Sequence, residues 1–394
     1  MFSSRLPAML AQNAFSRAVE ALRRSGAPLL DLTETNPTTA GVPYPADVLA
    51  PLADPRARRY APDPRGLIDA RAAIAATYAR DHAVSISPDR VVLTASTSEA
   101  YALLFKLLCD PGQAVLVPRP SYPLFDLLTR LEGVEARPYL LDYHGLWSID
   151  RPSVEDALAA PGGGVRAVLV VSPNNPTGSM LRADDREWLA ALCAERDLAI
   201  ISDEVFAGYP LAPRADARSL VGEKRALTFV LGGLSKSAGL PQVKLGWMVI
   251  DGPEALADEA LERLDLISDS YLSVSTPVQV AAATLIEIGG EIRAAILARA
   301  RGNLETLRAG VRAHPAVTLR EPEGGWSAVL EVPATMSDEA LVLTLLETAR
   351  VVVHPGYFFD FAGGAFLILS LLPEPDVFRV ALERILPIVS GGDV

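Results

Sequence analysis

The 394-residue sequence predicts an α/β protein, with a large domain built on a mostly parallel sheet covered by helices and a smaller α+β domain. Between residues 88 and 251, short continuously apolar runs alternate with longer helical ones, as in strands that helices bury on both faces. After residue 252, long helical stretches are followed by separate strand-like pieces, which favours an α+β unit. We therefore expect a large domain at 45–265 and a small domain formed by 1–44 with 266–394.

The individual elements follow from periodicity, because short β-branched runs favour strands and longer runs with apolar residues every three or four positions favour helices. In chain order we expect an amphipathic first helix, strand RVVLTAS, helix 98–109, strand AVLVPRP, a helix near 124–131, strand VRAVLVVSP, helix 182–196, and strands LAIISDE, TFVLGGLS and LGWMVI. Helices at 254–267 and 276–305, the second interrupted at Gly289 and Gly290, then precede strands SAVLEVP and FLILSLL.

Charge and composition exclude several classes of function. The chain has 36 basic and 48 acidic residues, and its net charge of −12 disfavours nucleic acid and anionic lipid as partners. No apolar stretch reaches the roughly 20 residues that span a bilayer. The histidines form no metal-binding pattern, and Cys109 and Cys193 lie in apolar helical runs that suit reduced thiols. We expect a cytoplasmic protein that binds no metal, membrane or nucleic acid.

The sharpest chemical signal is the segment GGLSKSAGLPQVKLGW, which follows a predicted strand and places Lys236 in a turn of small residues. Only four lysines occur in the chain, so few residues can supply a primary amine. A lysine here can form a Schiff base with an aldehyde if its surroundings lower its pKa. Taken alone, a solvated loop lysine is the better interpretation.

Two polar residues strengthen that signal. Asn175 follows the strand VRAVLVVSP, and Asp203 ends the strand LAIISDE. Because ligands of open α/β sheets bind at the carboxyl ends of strands, both side chains can converge with Lys236 on one crevice. An aspartate there can keep a ring nitrogen protonated, and an asparagine amide can donate to a phenolate oxygen, as a pyridine cofactor requires.

Two further segments have both a binding and a structural interpretation. TASTSEA passes from strand to helix, so the amides and hydroxyls of Thr97 and Ser98 can hold a phosphate, although an ordinary N-cap explains the same residues. PRPSYPLF offers Tyr122 as a flat face for a ring to stack on, although such a tyrosine often belongs to the core.

Together and in this order, SPNNPTG, DEVF, LSK, the PSY element and VHPGYFF resemble the class I/II aminotransferases of the pyridoxal-phosphate fold type I (aspartate aminotransferase) superfamily. The resemblance covers nearly the whole chain. It implies an enzyme that uses pyridoxal 5'-phosphate to move an amino group from an amino donor to an oxo acceptor. It also implies a homodimer with shared active sites.

The resemblance implies a role for each matching residue. Lys236 is implied as the catalytic residue, which forms the Schiff base and later moves the substrate's α-proton. The implied cofactor contacts are Asp203 at the pyridine nitrogen, Asn175 at the ring oxygen, Tyr122 and Val205 on the two ring faces, Thr97, Ser98, Ser235 and Lys244 at the phosphate, and Tyr60 reaching in from the neighbouring subunit.

Three positions depart from the family pattern. Phe206 replaces the usual tyrosine and removes one donor to the ring oxygen, while Lys244 replaces an arginine and its bidentate phosphate contact. Ile368 stands where the family has the arginine that takes the substrate's α-carboxylate. An aliphatic side chain cannot replace that contact.

Two explanations of Ile368 remain open at this point. Another cation, Arg119 or an arginine of the partner subunit, can supply the contact. Alternatively the substrate is an amine, or an amino acid bound through Asn36, Tyr357, His354 and backbone groups. His354 is also readily explained as a structural histidine. Trp326 either lines the substrate pocket or packs the small domain.

Alternatives to amino transfer also follow from the residues. A lyase or decarboxylase on the same scaffold shares the chemistry at the substrate's α-carbon and differs in which bond breaks. A non-catalytic pyridoxal-phosphate-binding sensor is the alternative from another class, although the acidic charge disfavours DNA binding.

Overall fold

The computed structural model describes residues 2–7, 12–212, 219–272 and 274–391. The α-helices are α1 (Ala14–Arg24), α2 (Ile68–His82), α3 (Thr97–Leu108), α4 (Phe125–Glu132), α5 (Arg151–Ala159), α6 (Ala183–Glu195), α7 (Leu234–Ser237), α8 (Glu254–Tyr271), α9 (Thr276–Arg312), α10 (Asp338–Thr344) and α11 (Pro375–Val389). A π-helical turn, Leu345–Ala349, continues α10, and 3₁₀ turns lie at Ala50–Ala53, Pro55–Arg58, Pro88–Arg90 and Gly356–Phe359.

The strands form one large sheet and two smaller ones. They are β1 (Leu30–Asp31), β2 (Val91–Thr94), β3 (Ala114–Arg119), β4 (Glu135–Tyr143), β5 (Trp147–Ile149), β6 (Val165–Val171), β7 (Ala199–Asp203), β8 (Thr228–Gly233), β9 (Gly246–Asp251), β10 (Thr318–Arg320), β11 (Ser327–Val332), β12 (Val351–Val352), β13 (His354–Pro355) and β14 (Ala365–Ser370).

The large sheet has the order β2-β9-β8-β7-β6-β3-β4-β5. Strands β4, β3, β6, β7 and β8 are parallel to one another, whereas β9 is antiparallel to both β8 and β2, and β5 pairs antiparallel with β4 at the edge. Every residue of β7, β8 and β9 is buried, which explains why these runs are continuously apolar. The predicted α/β class with a mostly parallel sheet is confirmed.

The C-terminal part contains an antiparallel sheet of order β10-β11-β14-β13. The N-terminal segment joins this part, since β1 pairs in parallel with β12 and the buried Phe15 and Val19 of α1 pack in the same apolar cluster as Leu345 and Phe378. The domain boundaries at residues 45 and 265 stay a prediction.

Helix α9 runs unbroken through Gly289 and Gly290, so the expected interruption is wrong. Gly289 is buried against Ala238, the residue that follows α7. A side chain at Gly289 would overlap that alanine. Close packing therefore offsets the low helix propensity of glycine at this position. Ile296 packs in the large-domain cluster and Leu304 in the small-domain cluster, so α9 connects the two cores.

The two glycines give a matched pair of variants. We expect Gly289→Ala to destabilise the protein by about 1–3 kcal/mol, because its new methyl group would overlap Ala238. Gly290 has no neighbouring atom within 4 Å of a new methyl group, so Gly290→Ala should stabilise by about 0.5–1 kcal/mol. Thermal unfolding midpoints of both variants test this, and equal midpoints would contradict the close packing at Gly289.

Burial raises the pKa of the Cys109 thiol to about 11 and that of Cys193 to about 12, so both stay protonated near neutral pH. Across the described ranges, no helix is long and apolar enough to cross a membrane. Within the same ranges, no group of three or more histidine, cysteine or acidic side chains is placed to hold a metal ion.

Candidate active site

Three neighbouring parallel strands end at one edge of the large sheet. Strand β6 leads into the loop that carries Asn175, β7 ends at Asp203, and β8 leads into α7, which carries Lys236. Asp203 pairs in register with Val171 of β6 and with Leu231 of β8. The structure therefore places the three loops side by side, as the switch to polar residues at the strand ends predicts.

Lys236 is held in a mostly apolar environment. Its Nζ lies 4.8 Å from the ring centroid of Trp326 and 5.7 Å from that of Phe206. Burial lowers the pKa of Lys236, and the Asp203 carboxylate opposes this shift only in part. A lower pKa increases the fraction of neutral amine, so the condition for a nucleophilic lysine is met.

Tyr209 fixes the turn that carries Lys236. Its hydroxyl donates a hydrogen bond of 2.5 Å to the Lys236 carbonyl oxygen, and its ring packs 5.0 Å from that of Trp326. Tyr209 is fully buried, and it does not occupy the family's tyrosine position, where Phe206 stands. Its hydroxyl holds the backbone of the residue that carries the amine, Lys236.

Asp203 is buried, and both of its carboxylate oxygens accept hydrogen bonds. The Tyr101 hydroxyl donates to Oδ2 at 2.7 Å, and the Val205 N–H donates to Oδ1 at 3.1 Å. Burial raises the pKa of Asp203, although these hydrogen bonds and the charge of Lys236 oppose the shift. Asp203 is therefore a buried carboxyl whose charge state depends on its partners.

Tyr101 was not found by sequence reasoning. It lies one turn after Thr97, in a helix whose start faces the strand ends. A hydroxyl-bearing ring in the otherwise apolar run AYALLF is the signal that marks it.

The segment TASTSEA forms the start of α3. It contains an ordinary N-cap, and it also presents backbone amides that can bind a phosphate. Ser96 is the N-cap and its hydroxyl accepts from the Glu99 N–H at 3.1 Å, while the Glu99 carboxylate accepts from the Ala95 N–H at 2.5 Å. This pair resembles a capping box, except that the Glu99 carboxylate binds the N–H of the residue before the N-cap. The first helical residues, Thr97 and Ser98, present their amides at the positive end of the helix dipole, which suits an anion.

The remaining predicted phosphate residues lie on the loops after β8. Ser235 is half-buried in α7, and Lys244 is exposed just before β9. Lys244 has φ of 60°, a left-handed conformation that costs a non-glycine residue roughly 1 kcal/mol. A lysine with a lowered pKa, a buried carboxyl, helix-end amides and a cation are together the groups that pyridoxal phosphate needs, so the residues present fit this cofactor.

The aromatic residues predicted at the site occupy different environments. Tyr122 is 43% exposed, whereas Trp326 is 2% exposed and packs against Phe206 and Tyr209 with its ring near Lys236. Tyr60 follows the turn Pro55–Arg58 and is 69% exposed. Such exposure of a large ring leaves it accessible to a second copy of the chain.

Two predicted substrate residues, Asn36 and Tyr357, lie outside the cavity described below, and the third, Trp326, packs in the large-domain apolar cluster and does not line that cavity. The Asn36 side-chain oxygen accepts from the Thr38 N–H at 3.1 Å and from the Thr38 hydroxyl at 2.8 Å, which closes a local turn. Tyr357 is 41% exposed and packs edge-on against Phe358 at 4.9 Å. The structure does not bring either residue to the cavity wall.

A cavity of about 410 Å³ opens between the strand ends and the small-domain sheet. Asn175 and Tyr122 line it from the large domain, and Ser327, His354 and Ile368 line it from the other side. The Ser327 hydroxyl donates to the Asn175 side-chain oxygen at 3.4 Å, which links the two walls. The remaining wall is threonine, serine, proline and phenylalanine, so no lysine or arginine lines the cavity within the described ranges.

The Ile368 side of the cavity is apolar. Ile368 is 4% exposed, lies opposite His354 in the β13–β14 register, and packs with Val329 and Phe359. Arg119, one of the cations considered as a replacement, forms ion pairs with Asp126 at 3.6 Å and Asp360 at 3.3 Å. Its guanidinium forms these ion pairs and does not line the cavity.

With the geometry described, comparison with known proteins identifies the family. A family profile described as aminotransferase class I and II matches residues 27–385. The chain belongs to this family. It is a pyridoxal-phosphate-dependent aminotransferase with the fold type I architecture, and the predictions of family, fold, enzyme class and cofactor are confirmed.

Curated relatives of this aminotransferase are similar over nearly the whole chain. A glutamate-pyruvate aminotransferase of Haemophilus influenzae is 27% identical over 378 residues, which cover 93% of this chain and 92% of the relative. An alanine aminotransferase of Mycobacterium tuberculosis is 28% identical over 377 residues, which cover 92% of this chain and 86% of the relative.

Solved structures show the same architecture. An alanine aminotransferase from Pyrococcus furiosus matches with a TM-score of 0.85 at 25% identity, covering 99% of each chain. An aspartate aminotransferase from Thermotoga maritima matches with a TM-score of 0.82 at 25% identity, covering 99% of this chain and all of that one.

Proposed function

We propose that this aminotransferase uses Lys236 as its catalytic residue and works as a cytoplasmic homodimer, in which Tyr60 of the partner subunit completes each site. The observation that carries the proposal is the pairing of a lysine of lowered pKa with the buried Asp203 at adjacent strand ends. The acidic net charge disfavours a polyanionic partner, and the free thiols of Cys109 and Cys193 support a reducing cytoplasm.

The roles of the residues follow from their positions. When bound, pyridoxal phosphate supplies an electron sink for the pair released as a bond at the substrate's α-carbon breaks. Lys236 Nζ would be the nucleophile toward the cofactor's aldehyde, and the same amine would move the proton at the donor carbon. Asp203 would hold a proton at the ring nitrogen, and its carboxylate is oriented by the Tyr101 hydroxyl and the Val205 N–H.

Other residues orient the ring and its phosphate. Asn175 would donate its amide hydrogen to the ring oxygen, and Tyr122 and Val205 would cover the two ring faces. The Thr97 and Ser98 amides at the start of α3, Ser235 and the Lys244 ammonium would bind the phosphate. Phe206 has no hydroxyl to donate to the ring oxygen, and its ring packs against Trp326.

The proposed sharing of the site predicts recovery of activity in hybrid dimers. Lys236→Ala removes the amine from one chain, and Tyr60→Ala removes the proposed phosphate contact from the other. If Tyr60 serves the partner's site, a hybrid dimer purified through two different tags has one intact site and should retain about half the wild-type rate. The rate is measured at limiting cofactor, where loss of a phosphate contact has its largest effect.

A Lys236→Ala chain paired with a wild-type chain is the matched control, and it should also give half the wild-type rate. If Tyr60 served its own chain, the hybrid would be no more active than half of the Tyr60→Ala enzyme. That result, or a monomer in size-exclusion chromatography of the holoenzyme, would contradict a shared site.

The names of the relatives support an amino donor and an oxo acceptor as the substrate classes. Glutamate, alanine and pyruvate each carry a carboxylate on the reacting carbon. The described wall of the cavity in this chain offers that carboxylate no lysine or arginine.

A further inference from the structure

The cavity lined by Asn175, Tyr122 and Ile368 has walls that suit an uncharged group rather than an anion. Ile368, Phe358 and Phe359 give it an apolar side, and Thr33, Thr35 and Ser327 give it neutral hydroxyls. On the proposed function above, this cavity receives the substituents of the reacting carbon, since Asn175 and Tyr122 also line it.

We propose that the amino donor is a primary amine with no carboxylate on its reacting carbon, and that its substituents are apolar or carry a hydroxyl group. The acceptor is correspondingly an aldehyde or a ketone, because both half-reactions use the same cavity. This proposal rests on amino transfer at Lys236 and adds the substrate class.

The physical reason is the free-energy cost of burying an unpaired carboxylate. Transfer of an ionised carboxylate from water to a site without a counter-charge is strongly unfavourable. A hydroxyl group of the substrate avoids that cost because threonine and serine hydroxyls can form hydrogen bonds with it. A hydrocarbon chain avoids it because phenylalanine rings can pack against it.

Three basic residues of the described chain, Arg119, Lys236 and His354, were considered as cations for a substrate carboxylate, and none of them is suited to that contact. The Arg119 guanidinium is held by Asp126 and Asp360. Lys236 is the reacting amine. His354 lines the cavity, but burial lowers its pKa more than Asp31 raises it, so its ring is neutral near pH 7 and supplies no cation.

The reaction balances without a further oxidant. The donor carbon loses its C–H and C–N bonds and becomes a carbonyl whose oxygen comes from water, which is a two-electron oxidation. The nitrogen, a proton and the electron pair go to the carbonyl acceptor, which is reduced to an amine and releases its oxygen as water; pyridoxal phosphate, when bound, would supply the carrier for them.

The test compares donors that differ only in the carboxylate, using the purified wild-type holoenzyme. The pairs are ethylamine with L-alanine, 3-methylbutylamine with L-leucine, and 2-phenylethylamine with L-phenylalanine. Conversion of the cofactor to its amino form is followed by absorbance in single turnover. We expect at least one amine to react roughly 100-fold faster than its paired amino acid at equal concentration.

The outcomes separate this inference from the proposed function. If the amino acids react as fast as the amines or faster, the site has a cation for the carboxylate, supplied for example by the partner subunit, and the substrate class is wrong while amino transfer stands. If neither set reacts, both the substrate class and the proposed function are overturned.

A variant tests the cavity wall directly. Ile368→Arg places a guanidinium where Ile368 now lines the cavity, so the ratio of amino acid to amine rates should rise by about tenfold or more. Ile368→Met is the matched control and should leave the ratio unchanged, because it adds no charge. Retention of the cofactor's absorbance band shows that each variant is folded. If a folded Ile368→Arg enzyme has the same ratio of amino-acid to amine rates as the wild type, the inference is overturned.

Discussion

Replacing Lys236 with alanine is expected to lower the rate of amino transfer by about 10⁴-fold or more. The variant loses both the nucleophile toward the cofactor and the base that moves the substrate's proton, and a positioned base alone contributes roughly 10²–10⁴-fold. Pyridoxal phosphate should still bind through its phosphate and ring contacts. Steady-state rates and the cofactor's absorbance in the same sample measure the two effects.

Lys106→Ala is the matched control for the loss of a lysine. Lys106 lies on α3 and pairs with Glu132 at 2.5 Å, away from the strand ends. Its replacement should leave the rate within about twofold, since such pairs contribute little. If the Lys236→Ala enzyme is as active as the Lys106→Ala enzyme, Lys236 is not catalytic. If the wild-type protein binds the cofactor but shows no turnover, the protein is a sensor.

Asp203→Asn is expected to lower kcat by about 10²–10³-fold, the usual effect of removing one preorganised electrostatic contact from an active site. Asparagine keeps the shape of the side chain, but its single oxygen can accept only one of the two hydrogen bonds that the Tyr101 hydroxyl and the Val205 N–H donate to Asp203. It carries no charge, so it cannot stabilise a protonated ring nitrogen. The measurement is kcat with a donor that reacts with the wild-type enzyme.

Tyr101→Phe separates the charge of Asp203 from its positioning. The lost hydroxyl donates to the charged form of Asp203, so its removal raises the pKa of that carboxyl further. The acid limb of the rate profile should therefore move to higher pH, with a loss of about tenfold or less at neutral pH. An Asp203→Asn enzyme that keeps wild-type kcat, or an unmoved acid limb in Tyr101→Phe, would contradict these roles.

Much of the architecture was determined by the sequence itself. The strands of the large sheet were predictable because they are buried on both faces, which requires continuous apolar runs such as VRAVLVV and TFVLGG. The convergence of Asn175, Asp203 and Lys236 was predictable for a topological reason, since parallel neighbouring strands end at one sheet edge.

Tertiary structure alone decided the features that depend on what packs against what. Local propensity predicted a break at Gly289, but close packing on Ala238 keeps α9 continuous. Periodicity did not show that the Tyr101 hydroxyl reaches Asp203, because these residues are 102 positions apart. The sequence pattern also did not show that Asp126 and Asp360 form ion pairs with Arg119.

The substrate cavity illustrates the same division. The sequence placed Ile368 at a decisive position but left open whether another cation lies nearby. That answer depends on the walls contributed by β11, β13, β14 and the large-domain loops, which are distant in sequence. The amino-acid sequence determines which side chains the protein has. Only the packing of the folded chain determines which charged side chains come into contact and which have no partner.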